Sequence, residues 1–203
     1  MLKEFFYGLI GWRQNIVTQV SHRKIKQHPS TYMHDYERKQ SAQLMRVNHI
    51  GEVCAQALYT GQLLVAKEHD LRKTLTHAKA EEIDHLVWCH GALKRLNANP
   101  SLIVPTWFSG ALILSIMFSV MGDEYNALFL EETELQVARH LDKHLQIMPW
   151  SDTISIAILE KMLKEELEHA KNAKSFTQKE MHTSLKSFMQ LNAKVMTTVG
   201  RYL

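Results

Sequence analysis

The sequence predicts an all-α protein built from a few long helices, and three observations predict it. Only eight glycines and four prolines punctuate 203 residues, too few for the many turns of an all-β sandwich or barrel. The prolines fall at positions 29, 100, 105 and 149, and the stretches between them are rich in Leu, Ala, Met, Glu, Lys and Gln, which are good helix formers. Apolar residues make up 45%, charged residues 22%, and the mean hydropathy is −0.23. A chain of that size and balance can bury one sizeable core, which excludes disorder, a collagen-like chain and a polytopic membrane protein.

Residues 1–30 are basic, with Lys3, Arg13, Arg23, Lys24 and Lys26 opposed only by Glu4. They lack the compact apolar run and small-residue cleavage site of a secretory signal. Residues 3–27 read as an amphipathic helix closed at His28-Pro29, suited to an anionic membrane surface or to a mitochondrial presequence. The chain therefore divides into a basic amphipathic segment, 1–35, and a main domain, 36–203.

A long helical pattern runs from about Tyr36 to Glu68, with Met45, Val47, Val53, Ala57, Leu58, Leu64 and Val65 at its apolar positions. A turn is expected at 69–71. A second helix continues to about Asn97, where Asn97-Ala98-Asn99-Pro100 stops it. A third pattern covers Asp123 to Ile147 and breaks at Met148-Pro149. Ser151 or Asp152 suits the N-cap of a fourth helix reaching about Lys179, and a last amphipathic segment, 184–199, carries Leu185, Phe188, Met189 and Val195. Between the second and third helices lies Leu102–Met121, twenty residues without a charge, long enough to be a transmembrane candidate.

The net charge of +3 is too mild to imply a nucleic-acid partner. Two cysteines, Cys54 and Cys89, cannot form a disulfide framework; they read as small core residues of a protein in a reducing compartment.

Two of the helices repeat one motif: Glu81-Glu82-Ile83-Asp84-His85-Leu86 and Glu165-Glu166-Leu167-Glu168-His169-Ala170. In each, Glu-x-x-His places a carboxylate and an imidazole on one helical face, where they can bind the same metal ion. A single copy is more simply a solvated helix face; two copies gain meaning from their partners. A di-iron bundle takes one Glu from each of two helices and Glu-x-x-His from each of the other two. Glu52 precedes Glu82 by 30 residues. On the third helix Glu131, Glu132 and Glu134 compete. Glu134 lies among Leu130, Val137, Ala138 and Leu141 at helical spacing and points into the apolar stripe, whereas Glu132 beside Gln136 looks more exposed. Glu134 lies 32 residues before Glu166, so the chain reads as two similar hairpins. Both arms of the second hairpin, from Glu134 to Ile147 and from Asp152 to Glu166, are roughly 20 Å long, which brings their ligands to one depth. Four carboxylates and two imidazoles, Glu52, Glu82, His85, Glu134, Glu166 and His169, suit Fe or Mn, and the lack of cysteine ligands argues against structural zinc. His49 reads as packing or capping near Glu52, and His140 as an outer-sphere donor or plain surface.

The ligand set also constrains the apolar segment. If 102–121 crossed a bilayer, Glu52, Glu82 and His85 would be separated by it from Glu134, Glu166 and His169. A re-entrant or interfacial segment on one face of the membrane satisfies both signals, and Pro105 and Trp107 suit an interface. The alternative is a buried core helix linking the hairpins.

The stretch Leu44-Met45-Arg46-Val47-Asn48-His49-Ile50-Gly51-Glu52-Val53-Cys54-Ala55-Gln56-Ala57-Leu58-Tyr59-Thr60-Gly61-Gln62 resembles the signature of the demethoxyubiquinone hydroxylases of ubiquinone biosynthesis. So do Glu-x-x-His-Leu at 82–86, Pro-x-Trp at 105–107 and Glu-Leu-Glu-His at 166–169. Val-Cys-Ala-Gln at 53–56 and Glu-Thr-Glu-x-Gln-Val at 132–137 resemble the bacterial branch. The resemblance covers about residues 40–203. Other branches carry a tyrosine after the histidine matching His140, where this chain has Leu141. The resemblance implies a ferritin-like fold and a centre of two Fe ions per chain, with Glu82 and Glu166 as bridging ligands among the same six residues. It implies O2-dependent hydroxylation of a polyprenylated benzoquinol, giving the intermediate that is next methylated towards ubiquinone. It further implies a peripheral membrane protein, with Leu102–Met121 admitting the isoprenoid tail and other ubiquinone-biosynthesis proteins as partners. The expected location is the cytoplasmic face of a bacterial inner membrane, with the mitochondrial inner membrane as alternative. Two competing classes are another ferritin-like protein, for iron storage or peroxide reduction, and a non-enzymatic helical membrane adaptor.

Overall fold

The computed structural model describes Arg23 and residues 32–202; apart from Arg23, the helix expected over 3–27 lies outside the described residues. Among the described residues six helices follow one another: α1 (Asp35–Val65), α2 (His69–Arg95), α3 (Val104–Ser119), α4 (Asp123–Ile147), α5 (Thr153–Lys174) and α6 (Thr183–Gly200). No strand occurs among the described residues. Helices α1, α2, α4 and α5 form a ferritin-like four-helix bundle of two hairpins, each closed by a short loop. Helix α3 is the crossover between them and packs mainly along α1.

The stop after α2 and the cap of α5 act where the sequence places them, and Gly122 adds a reversal that the sequence reading did not single out. Asn97, with φ of 56°, takes the left-handed conformation that Asn tolerates and ends the turn after α2. Gly122, with φ of 115°, reverses the chain from α3 into α4, a backbone that only glycine adopts without strain. The Asp152 carboxylate caps α5 by accepting from Ser155 N–H at 3.1 Å. Arg95, at the end of α2, donates to the same carboxylate at 2.5 Å and to Ser155 Oγ at 2.9 Å, so one ion pair joins the two hairpins at this end.

Two boundaries differ from the sequence reading. The first turn occupies 66–68, and His69 already opens α2. No Gly or Pro marks it; Asp123 makes it from a distance, accepting Lys67 N–H at 3.0 Å and Glu68 N–H at 2.7 Å. Helix α5 ends at Lys174, short of Lys179, because the following residues are used elsewhere. Lys179 donates to Glu124 at 2.6 Å, and Met181 is buried with Leu128 and Phe129.

Helix α3 is the sixteen-residue core of the uncharged stretch, and no helix among the described residues is long and apolar enough to cross a membrane. Nor is it a buried core helix. Only Ser115 and Ser119 are fully buried, while Ile113, Met117, Val120 and Met121 face outward, each more than half exposed. The inner face is small so that α3 can lie close to α1: Ser115 packs directly over Gly61, and both serine hydroxyls donate back to their own helix, to Leu112 O and Ser115 O, so that neither hydroxyl is left unmatched.

Inside the bundle the core is layered. Leu44, Met45, Trp88, Cys89, Leu93, Leu141, Leu159 and Met162 form an apolar cluster toward one end. Tyr59, Leu71, Leu75, Ala127, Leu130 and Ala173 form another toward the opposite end. Between them all four bundle helices place polar side chains in one buried layer.

Candidate metal centre

That layer holds the six residues singled out by spacing. Glu52 comes from α1, Glu82 and His85 from α2, Glu134 from α4, and Glu166 and His169 from α5. All are buried, none more than 4% exposed. One ligand atom each from Glu52, Glu82, His85 and Glu166 falls within 4.8 Å of the others, and so does one each from Glu82, Glu134, Glu166 and His169. Glu82 and Glu166 belong to both groups. His85 Nδ1 lies 3.2 Å from Glu82, 3.3 Å from Glu166 and 3.8 Å from Glu52. His169 Nδ1 lies 3.1 Å from Glu82 and 3.5 Å from Glu166. Each group is therefore three carboxylates and one imidazole converging on a point, and the two points share two carboxylates.

Such a layer is expensive with only protons to balance it. Burial, together with the negative charge of Glu82, pushes the Glu52 carboxyl well above the usual carboxylate range; burial and Glu166 do the same to Glu134. Burial would also raise Glu82, but His85 and His169 outweigh it and hold that carboxyl low. Burial should lower His169, yet Glu166 and Glu82 push it up to about 12. Several atoms remain unmatched: Glu82 Oε1, both carboxylate oxygens of Glu166 and His169 Nδ1 are buried and make no hydrogen bond of good geometry. Buried polar atoms rarely stay so, and these all face the two convergence points. A cation at each point would satisfy them, and a set of hard oxygens with one nitrogen per group suits iron or manganese. The residues fit a metal centre.

The far side of each imidazole is held by the opposite hairpin. His85 Nε2 donates to Glu165 on α5 at 2.8 Å, and His169 Nε2 donates to Glu81 on α2 at 2.9 Å. With Nε2 bonded outward, Nδ1 is the nitrogen each imidazole turns to the cluster, and a cation there would take the place of the proton that Nδ1 holds in the metal-free chain.

Residues 39–200 match the family described as "Ubiquinone biosynthesis protein COQ7". The chain belongs to the COQ7 family. It is 46% identical over 161 residues to a 3-demethoxyubiquinol 3-hydroxylase of Chromobacterium violaceum, covering 79% of this chain and 78% of that one. It is 42% identical over 172 residues to one of Xylella fastidiosa (85% and 79%), and 42% identical over 171 residues to one of Ralstonia pickettii (84% and 79%).

In this COQ7-family chain the residues around the centre include several that spacing did not single out. Glu81 and Glu165 had a signal: the doubled glutamate in both motifs, of which spacing assigns only the second member to the site although the first, four residues before its histidine, also lies near that face. Tyr59, within the family-like stretch, donates its hydroxyl to Glu134 at 2.7 Å; burial and the Glu134 charge push its own pKa well up, so it stays a donor. Glu131, the third candidate on α4, pairs with Lys174 at 3.4 Å. Glu132 overturns an expectation. It is 3% exposed rather than facing solvent, because Gln136, Arg139 and Lys186 of α6 close over it at 2.9, 3.0 and 3.3 Å. It stays out of both ligand groups. His49 is buried, its ring 5.8 Å from that of His90. His140 sits 3.9 Å, ring to ring, from His144, and neither His49 nor His140 joins the ligand groups. Leu141 is core. Cys89 is buried against Met162, and Cys54 is half-buried with its sulfur 3.8 Å from that of Met196.

Proposed function

We propose that this chain is a 3-demethoxyubiquinol 3-hydroxylase, hydroxylating a polyprenylated methoxy-methyl-benzoquinol with O2 at a centre of two iron ions. The observation that carries this reading is the sharing of Glu82 and Glu166 between two otherwise separate ligand groups, supported by relatives that bear this activity as their name. Glu52, Glu82, His85 and Glu166 would hold one ion and Glu82, Glu134, Glu166 and His169 the other, so that Glu82 and Glu166 would serve both. Irons held there would supply the binding and reductive activation of O2. The protein's contribution is positional. Glu165 and Glu81 fix the imidazoles, Tyr59 holds Glu134 by one oxygen, and the two apolar layers keep water from the reacting centre.

The quinol's ring must reach this buried layer while its isoprenoid tail stays in lipid. Helix α3 suits that task. Val104 and Phe108 pack onto Val53 and Leu86, beside the ligands Glu52 and His85, and the outward face offers Ile113, Met117, Val120 and Met121 to acyl chains. Helix α6 adds to this surface: Leu185 and Met189 pack against the cluster of Leu128, Phe129 and Met181, as Leu114 and Phe118 of α3 do, while Phe188, Leu191 and Val195 face outward. The protein lies peripherally on the cytoplasmic face of the inner membrane. An iron-storage subunit has no need of this apolar surface.

The test is the lipid extract of a strain lacking this chain. Demethoxyubiquinone accumulates and disappears on complementation; a strain with ordinary ubiquinone and no such intermediate contradicts the assignment.

A further inference from the structure

Arg23 lies outside the residues that match the family, 39–200, yet its side chain reaches both histidine-bearing helices. Its Nε donates to Asp84 at 2.5 Å, its Nη1 to Glu81 at 3.1 Å and to Glu165, and its Nη2 to the Glu81 carbonyl at 3.4 Å. The guanidinium lies 5.2 Å from the Trp88 ring centroid, and Trp88 Nε1 donates to the Arg23 carbonyl at 3.1 Å. Glu81 and Glu165 are the two carboxylates that hold His169 and His85 from across the bundle. One guanidinium therefore touches both.

We propose that Arg23 is a positioning residue for the metal centre: by bridging Glu81 and Glu165 across the α2–α5 seam it fixes the orientation of both histidine ligands at once. The proposal rests on reading His85 and His169 as ligands. Two like charges close to one buried layer repel, and each can relieve that by swinging toward solvent and abandoning its imidazole. A planar guanidinium meets them with separate N–H groups in a fixed fork, and Asp84 and the Trp88 face set the plane of that fork. Lys161 pairs with Glu165 at 2.7 Å and His77 with Glu81 at 3.4 Å, but each reaches one carboxylate only. A lysine at position 23 keeps the charge and loses the fork.

The test titrates metal-free full-length chain with Co(II), following affinity and the visible ligand-field spectrum, for wild type, Arg23→Gln, Arg23→Lys and Arg38→Gln. Arg38, in an exposed pair with Asp35 at 2.7 Å, controls for loss of a surface charge. Wild type and Arg38→Gln bind alike. Arg23→Gln weakens binding about tenfold or more and changes the spectrum while helical circular dichroism is retained. Arg23→Lys shows the same spectral change with a smaller loss. If Arg23→Gln or a folded Arg23→Lys matches wild type in both affinity and spectrum, the proposal is overturned while the ligand assignment stands. If wild type itself binds no cobalt, both fall.

Discussion

His85 donates its Nε2 proton to Glu165 at 2.8 Å, from α2 to α5, and His169 returns the same bond to Glu81 at 2.9 Å. The bundle thus carries an internal near-symmetry in which each hairpin orients the other's histidine. Burial alone would raise the Glu165 carboxyl; hydrogen bonds from His85, Lys161 and Arg23 bring it down to about 2 instead, so it accepts the imidazole proton as a full anion. Glu165→Gln should lower iron affinity by about 10- to 100-fold, measured by competition with a chelator, and Glu81→Gln should do the same through His169. If either variant keeps wild-type affinity, that carboxylate does not orient its histidine.

Tyr59 gives a smaller and separable effect. Tyr59→Phe removes the 2.7 Å bond to Glu134 and leaves a buried carboxylate oxygen short of a partner. Urea unfolding of the metal-free protein should show a loss of about 1–3 kcal/mol. An unchanged midpoint and slope would mean that the hydroxyl contributes nothing to holding Glu134.

The approach of α3 to α1 depends on Gly61. A Cβ there would overlap Ser115 Oγ and come within 3.1 Å of Leu112 O and of Ile116 Cγ1. Gly61→Ala should therefore destabilise by about 1–3 kcal/mol through overpacking, despite alanine's better helix propensity. Ser115→Ala removes the overlapping oxygen, so the double variant should recover most of the loss. A double-mutant cycle with no coupling would contradict the close packing.

The pair His140 and His144 predicts a pH dependence of stability. Burial lowers His140 to about 4 and His144 to about 3, with nearby positive groups adding to it. Both are neutral in the folded chain at pH values where an unfolded histidine takes a proton. The unfolded state then binds more protons between about pH 3 and 6.5, so stability is fully present above 6.5 and is lost as pH falls through that window. Unfolding midpoints at pH 4.5 and 7 should differ less in a His140→Asn, His144→Asn double variant than in wild type. An equal difference would remove the pair from the acid response.

Much of this was legible in the sequence, for identifiable reasons. The six residues of the buried layer were readable because the two Glu-x-x-His motifs, each with a glutamate about 30 residues before it, repeat at helical spacing, and because Glu134, unlike Glu131 or Glu132, sits in an apolar stripe. Helix ends were readable where Asn97-Ala98-Asn99-Pro100 and Met148-Pro149 mark them. What escaped depends on contacts between elements distant in sequence. The turn at 66–68 is made by Asp123, some 55 residues on. Glu132 is buried by Lys186 of α6, which no pattern around Glu132 reveals. Glu81 and Glu165 act across the bundle, so each looks like solvated surface until the two hairpins are placed together. The apolar crossover was ambiguous because its hydropathy does not tell a span from a core or surface helix; its sixteen-residue length argues against a span, and the outward Ile113 and Met117, with only Ser115 and Ser119 buried, argue against a core helix, which comes into view only with α1 in place.

The central claim, two cations sharing Glu82 and Glu166, is tested most directly by metal analysis of the iron-reconstituted chain beside Glu166→Ala. Wild type should hold about two irons per chain. Because Glu166 serves both groups, Glu166→Ala should lose both irons and all hydroxylation, whereas a variant of a terminal ligand such as Glu52 should weaken one position first. A wild-type chain without iron or manganese, or a Glu166→Ala protein that keeps two irons and full activity, would contradict the account.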